Sequence, residues 1–180
     1  MTAPTERLRV FFALWPDASV ARALAGLATM IAPESARLMR PETLHLTLAF
    51  VGDIDAAQLA TVIDAGDAVT WPRFELTIDQ VAHWAHNHIV WAGASRMPAP
   101  LGDLASGLAD ALGERGFSLP ERPFKPHVTL ARKAATMEES SEFVPIDWHV
   151  REGVLVCSDR DALGGHYQVL RRWSCLPQRG

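Results

Sequence analysis

Val10-Phe11-Phe12-Ala13-Leu14 is an unbroken apolar run inside the stretch Arg7 to Trp15, and Pro16-Asp17 closes it. Its length suits a buried strand better than a helix. Beyond it the period changes: Val20, Leu24, Leu27, Ala28 and Ile31 recur at the spacing of one helix face. Asp17 or Ser19 is placed to cap that helix and Pro33 to stop it. A strand is expected from Leu44 to Val51, ahead of a Gly52-Asp53 turn, and then a second helix capped by Asp55 and carrying Leu59, Val62 and Ile63. Phe74 to Asp79 alternates with period two, as does the stretch near His88 to Trp91, which predicts two half-buried strands. Leu101, Leu104, Leu108 and Leu112 outline a third helix that Gly116 ends. Strands are then expected at His127 to Arg132, Phe143 to His149, Val154 to Ser158 and His166 to Trp173.

Within this order one pattern recurs. His-Leu-Thr-Leu-Ala, from His45 to Ala49, returns as His-Val-Thr-Leu-Ala, from His127 to Ala131. After each copy come a Phe-containing strand and a pair of further strands. Composition alone makes a chance match of this kind about a half-percent event. Two copies of a unit longer than any solenoid repeat point to a duplicated, two-lobed fold with approximate internal two-fold symmetry. Apolar positions alone could reflect two ordinary core strands. Histidine and threonine are costly on such a strand unless they are hydrogen-bonded or face a cavity. On an extended strand His45 and Thr47 share one face, and so do His127 and Thr129, while the intervening apolar residues pack the other. Two imidazoles near one another can hold one protonated and one neutral ring at neutral pH, an acid and a base for one reaction. The threonine hydroxyls can donate to phosphate oxygens. This chemistry requires neither a metal nor a serine or cysteine nucleophile.

The wider composition trims the alternatives. The 180-residue chain carries a formal net charge of -4, so it has no global basic footprint for nucleic acid or an anionic membrane. Any nucleotide contact must be local. No apolar run approaches the length of a membrane span, and the N-terminus lacks the pattern of a signal peptide; a cytoplasmic protein with no membrane contact is expected. Cys157 and Cys175 form no metal-ligand pair and are read as reduced thiols. His83, His86 and His88 cluster without helical ligand spacing or cysteine partners, so exposed strand and turn histidines are expected there rather than zinc ligands.

The sequence resembles the 2H phosphoesterase superfamily, and within it the bacterial and archaeal RNA 2′,3′-cyclic phosphodiesterases, also described as 2′-5′ RNA ligases. Beyond the two motifs the likeness includes the opening Arg-Val-Phe-Phe-Ala-Leu, the block from Arg40 to Gly52, the block from Pro123 to Arg132, and Gly165-His-Tyr-Gln-Val-Leu. One departure is Ala49, where many relatives carry lysine, a change expected to weaken attraction for phosphate or RNA. The resemblance implies an α+β fold over residues 1–180. Two intertwined lobes, each an antiparallel-rich sheet with helices outside, would flank a cleft. It implies hydrolysis of a 2′,3′-cyclic phosphate to a 2′-phosphomonoester, with weak reverse ligation. By motif order His127 is the proton acceptor and His45 the proton donor, a polarity the near-identical motifs do not themselves reveal. Thr47 and Thr129 would bind phosphate oxygens. Arg132 is a further phosphate ligand or a surface cation, and Lys125 shares that ambiguity. Phe11, Phe12 and Phe50 are candidates for stacking on a base, with at least two of the three expected in the core, and Tyr167 is expected to line the site. Arg171-Arg172 is too short to count as a nucleic-acid patch. The expected partner is RNA with a 2′,3′-cyclic end or a small cyclic nucleotide, acted on by a monomer without cofactor. A binding module without turnover, or a phosphodiesterase for another cyclic phosphate or a 2′-5′ oligonucleotide, stays open.

Overall fold

A computed structural model of the chain describes residues 7–137, 142–158 and 166–177. The first strand, β1 (Arg7–Leu14), is followed by α1 (Ala18–Ile31), the two-residue β2 (Arg37–Leu38) and β3 (Leu46–Asp55). Next come α2 (Leu59–Asp67), β4 (Phe74–Ile78), β5 (Gln80–Trp84), β6 (Ile89–Gly93) and α3 (Ala99–Glu114). The chain closes with β7 (Val128–Arg132), β8 (Ile146–Val150), β9 (Glu152–Ser158) and β10 (Tyr167–Ser174). Gly165 of the C-terminal block lies outside the described residues.

Local chemistry explains the helix ends. The Asp17 carboxylate accepts from the backbone N–H of Ser19 (2.8 Å) and Val20 (3.0 Å), so Asp17 rather than Ser19 caps α1. Those bonds to the ionised form hold its carboxyl below the usual carboxylate range, the Ser19 hydroxyl contributing most. Asp55 and Gln58 close a reciprocal capping box ahead of α2. Gly116, at φ 85°, turns the chain after α3 while Phe117 N–H donates to the Leu112 carbonyl at 3.0 Å; a left-handed residue is what that ending requires.

Eight strands form one sheet in the order β10-β9-β1-β3-β7-β6-β5, with β2 on β7, and β4 pairs with β8 in a separate two-stranded sheet. The named pairings are antiparallel. The sheet's two sides, β10-β9-β1-β3 and β7-β6-β5, meet in a single rung, Leu46 opposite Val128. Helix α1 lies against β7 and β8, and α3 against β3 and α2. They cover the face bearing Leu46, Leu48, Val128 and Leu130, which are buried in the main core.

Two departures from strict alternation shape the other face. Phe12 pairs with Ala49 but Ala13 with Thr47, so Leu48 is an extra residue on β3. Likewise Val90 pairs with Ala131 but Trp91 with Thr129, leaving Leu130 extra on β7. Each bulge turns two successive apolar side chains, Leu48-Ala49 and Leu130-Ala131, into the core. It also restores Phe50 and Arg132 to the face carrying Thr47 and Thr129. A further shift at Val51 precedes Gly52 (φ 91°), so β3 runs through the expected Gly52-Asp53 turn as far as Asp55.

Ala49, at 5% exposure, belongs to the core with Phe12. The expectation that its departure from lysine weakens phosphate attraction is therefore corrected: in this chain position 49 looks away from the histidines. Both cysteines are free thiols, and burial pushes Cys175 up to about 11. No helix is long and apolar enough to cross a membrane.

Candidate active site

His45 and His127 each stand one residue before the strand that carries their threonine. Their rings are held in the same way: His45 Nδ1 lies 2.7 Å from the Thr43 carbonyl, and His127 Nδ1 2.7 Å from the Lys125 carbonyl. A carbonyl can only accept, so Nδ1 carries the hydrogen in both rings and Nε2 is left for proton exchange. The turn that presents the Thr43 carbonyl is itself fixed, since Thr43 Oγ1 donates to the Arg40 carbonyl at 2.8 Å.

The rung at Leu46 and Val128 places the motifs in antiparallel register. One step along it, His45 stands beside Thr129 and His127 beside Thr47. Both threonines are half-buried, and neither hydroxyl is hydrogen-bonded to another side chain or carbonyl among the described residues.

The two imidazoles differ in their surroundings. The His45 ring stacks on Trp15 (centroids 5.2 Å, 8° between planes), leans on Phe11 at 5.0 Å and meets the edge of Tyr167 at 5.2 Å. Burial pushes it down to about 4; its bond to the Thr43 carbonyl opposes that, and the charges of Arg132 and His127 reinforce it. His127 is more open, edge-on to Trp84 at 4.6 Å with Trp91 at 6.2 Å. Its pKa is also lowered, again mainly by burial and further by Arg132. Free of ligand, the pair favours two neutral rings at neutral pH. Arg132 acts electrostatically on both.

Tyr167 lies against the His45 ring and Phe50 is 38% exposed on the same face, with the Arg9 guanidinium 4.7 Å from its ring centroid. Phe11 is not at a rim: at 4% exposure, between His45 and Tyr167, it is a floor for the imidazole and offers no open ring to a base. Phe12 is wholly buried on the opposite face against Trp71 and Trp173. Lys125 contributes its carbonyl. His83 Nε2 donates to the Ala134 carbonyl at 2.8 Å, and among the described residues no group of three or more His, Cys, Asp or Glu is arranged to hold a metal ion. Arg171 pairs with Asp67 at 3.4 Å and Arg172 with Glu152, so neither offers an unpaired basic patch.

Sequence reasoning missed Trp15, Trp84 and Trp91 as ring neighbours. Their only signal was position: Trp15 just after β1 and Trp91 within β6, the strands beside the motif strands, and Trp84 at the end of β5, one strand further out. The two carbonyl anchors carry no residue-type signal at all.

Comparison with known proteins places the chain among relatives. The family model described as LigT like Phosphoesterase matches residues 14–91 and 94–160. The chain is 31% identical over 175 residues to the RNA 2′,3′-cyclic phosphodiesterase of Escherichia coli, covering 94% of this chain and 98% of that one. It is 27% identical over 184 residues to the protein of the same name from Thermus thermophilus, covering 96% and 93%. In structure it is similar to E. coli LigT complexed with 3′-AMP, at a TM-score of 0.82 and 30% identity, over 94% of this chain and 99% of that one.

Proposed function

This chain belongs to the LigT-like phosphoesterase family, and from that premise we propose that it hydrolyses 2′,3′-cyclic phosphates at RNA or nucleotide ends to 2′-phosphomonoesters. What carries the reading is the matched anchoring of His45 and His127, which leaves two Nε2 atoms for proton traffic on one face. In the reaction His127 Nε2 accepts a proton from water as the water oxygen bonds to phosphorus. The bond from phosphorus to the 3′ oxygen breaks, and His45 Nε2 gives its proton to that oxygen. Exchange with solvent then restores both rings. Because burial holds His45 near 4 in the free protein, the phosphate anion supplies the charge that favours its protonated state.

Thr47 and Thr129 donate to the non-bridging oxygens, and Arg132 offsets their charge as it grows. Phe50 offers a ring face to the base, Tyr167 borders the leaving-group side, and Phe11 supports the His45 ring. With an RNA 5′-hydroxyl in place of water as the attacking group, the same proton transfers, to His127 and from His45 to the departing 3′ oxygen, give weak 2′-5′ ligation. No metal or cofactor takes part, and the protein works as a cytoplasmic monomer. The two halves are read as a duplication with intertwined copies. In support, the bulges at Leu48 and Leu130 are separated by the same 82 residues as His45 and His127.

The test is a product-resolved assay in EDTA on RNA with a 2′,3′-cyclic end. A 2′-phosphate is expected, with near-complete loss in His45→Ala and His127→Ala. Full activity in either variant, or a 3′-phosphate product, overturns the mechanism. Binding without turnover by the unmodified protein would identify it as a binding module instead.

A further inference from the structure

The short strand β2 sets Arg37 directly opposite Arg132 on β7. Residues opposite each other on antiparallel strands project from the same face, and two like charges there repel. Arg132 in turn pairs with Ile89, two residues from Trp91, so it shares the face of Trp91 and Thr129. Arg37 therefore belongs to the histidine face, at the end of β7 remote from His127. Every other arginine on the strands of the large sheet has an acidic partner: Arg7 with Asp55, Arg9 with Asp53, Arg171 with Asp67 and Arg172 with Glu152. Arg37 and Arg132 have none among the described residues. Arg132 is half-buried and acts on both imidazoles, whereas Arg37 is exposed.

Two unneutralised guanidinium groups side by side form a site for anionic oxygen, because a planar fork can engage phosphate through two N–H donors. Arg132, within electrostatic reach of both rings, is committed to the reacting phosphate. Arg37 stands on the edge of β7 that also carries β3, at the end remote from His127. Resting on the cyclic-phosphate reading above, we propose that Arg37 binds the next phosphodiester of the RNA, the one joining the terminal nucleotide to its 5′ neighbour. The site is thereby selective for an RNA 3′ end over a free cyclic mononucleotide, which has no such phosphate. In a chain of net charge -4, this pair supplies the local attraction that overall charge does not.

The experiment compares kcat/KM for a 2′,3′-cyclic mononucleotide with that for a dinucleotide ending in a 2′,3′-cyclic phosphate, in the unmodified protein, Arg37→Gln and Arg37→Lys. The unmodified protein should favour the dinucleotide, and Arg37→Gln should lower the dinucleotide-to-mononucleotide ratio about tenfold, the scale of one charge-assisted hydrogen bond. Arg37→Lys, which keeps the charge and loses the fork, should fall between. Raising salt should weaken the dinucleotide more, by an extra slope of about 0.7 in log kcat/KM against log salt. A ratio unchanged in Arg37→Gln overturns the proposal while leaving the cyclic phosphodiesterase reading intact. No turnover of either substrate by the unmodified protein overturns that reading instead. If Arg37→Gln does not fold, the salt series decides: equal slopes for the two substrates reject the subsite.

Discussion

Leu46 faces Val128 across the one rung that joins the two sides of the large sheet, and that rung sets each histidine beside the other motif's threonine. In the proposed mechanism the two hydroxyls reach one phosphate from two strands. Thr47→Val and Thr129→Val keep side-chain shape and remove a donor. Each should lower kcat by about 10- to 100-fold, the range for a hydrogen bond to a charged group, with a smaller change in KM. Thr→Ser at either place should restore most of the rate. Steady-state kinetics on a cyclic nucleotide checks this, and a valine variant with unchanged kcat would remove that threonine from the mechanism.

Burial of both imidazoles has a signature in pH. The proposed mechanism needs one protonated ring, while burial lowers both pKa values in the free protein and takes His45 to about 4. As pH rises above those values the protonated fraction falls about tenfold per unit. The profile of kcat/KM, which reports free protein, should therefore decline from a pH below the ordinary imidazole value of about 6.5. The profile of kcat should hold to higher pH, since the bound anion favours the imidazolium. Coincident profiles would count against this account.

Trp15 lies flat on the His45 ring and excludes water from one side of it. Trp15→Ala should let the His45 pKa rise toward its solvent value, read by NMR titration of the ring, and should move the alkaline limb of kcat/KM upward. If the titration stays where it is, Phe11 and Tyr167 account for the desolvation.

Stability should follow the same group. The folded His45 pKa lies below the unfolded one, so between about 6.5 and 4 the unfolded chain binds more protons. Stability is thus full above that window and is lost as pH falls through it. His45 keeps some exposure, which limits the effect to roughly 1–3 kcal/mol. Urea melts across the window should show this decline, and His45→Gln should flatten it.

Gly153, opposite Leu14 on β1, offers a packing test that involves none of the proposed site residues. A Cβ there would lie 1.9 Å from Cζ3 of Trp71, whose ring stacks on Trp173 at 4.9 Å. Gly153→Ala should cost about 1–3 kcal/mol through overpacking, read as a lower melting temperature; an unchanged one would show that the Trp71 ring shifts freely.

Much of this was legible because it is written in residue types with a period. Asp17 before a helical stripe, Gly116 after one, and the repeated His-x-Thr-Leu-Ala all announce their roles. The bulges at Leu48 and Leu130 were not legible, since two consecutive apolar residues read equally as a buried strand. Strict alternation would put Ala49 on the face of His45 and Thr47, whereas the bulge at Leu48 turns it into the core. Helices α1 and α2 and the strand near Phe74 declared themselves locally. Arg37 had no such signal: a two-residue strand has no period, and only the register against β7 brings it beside Arg132. The imidazole anchors are backbone carbonyls, which every residue owns.

The hairpin β9–β10 lies against β1 and carries Tyr167 to the His45 ring. During synthesis β1 leaves the ribosome before either of its sheet neighbours, and one of its two edges has no neighbour until more than a hundred further residues have been made. An emerging chain therefore exposes an apolar edge of the kind that recruits stray strands. The His45 pocket closes only when translation has passed Tyr167, so a nascent chain stalled before that point contains both histidines and no finished site. The surroundings of His45 are in this fold finished only by the last strand of its sheet.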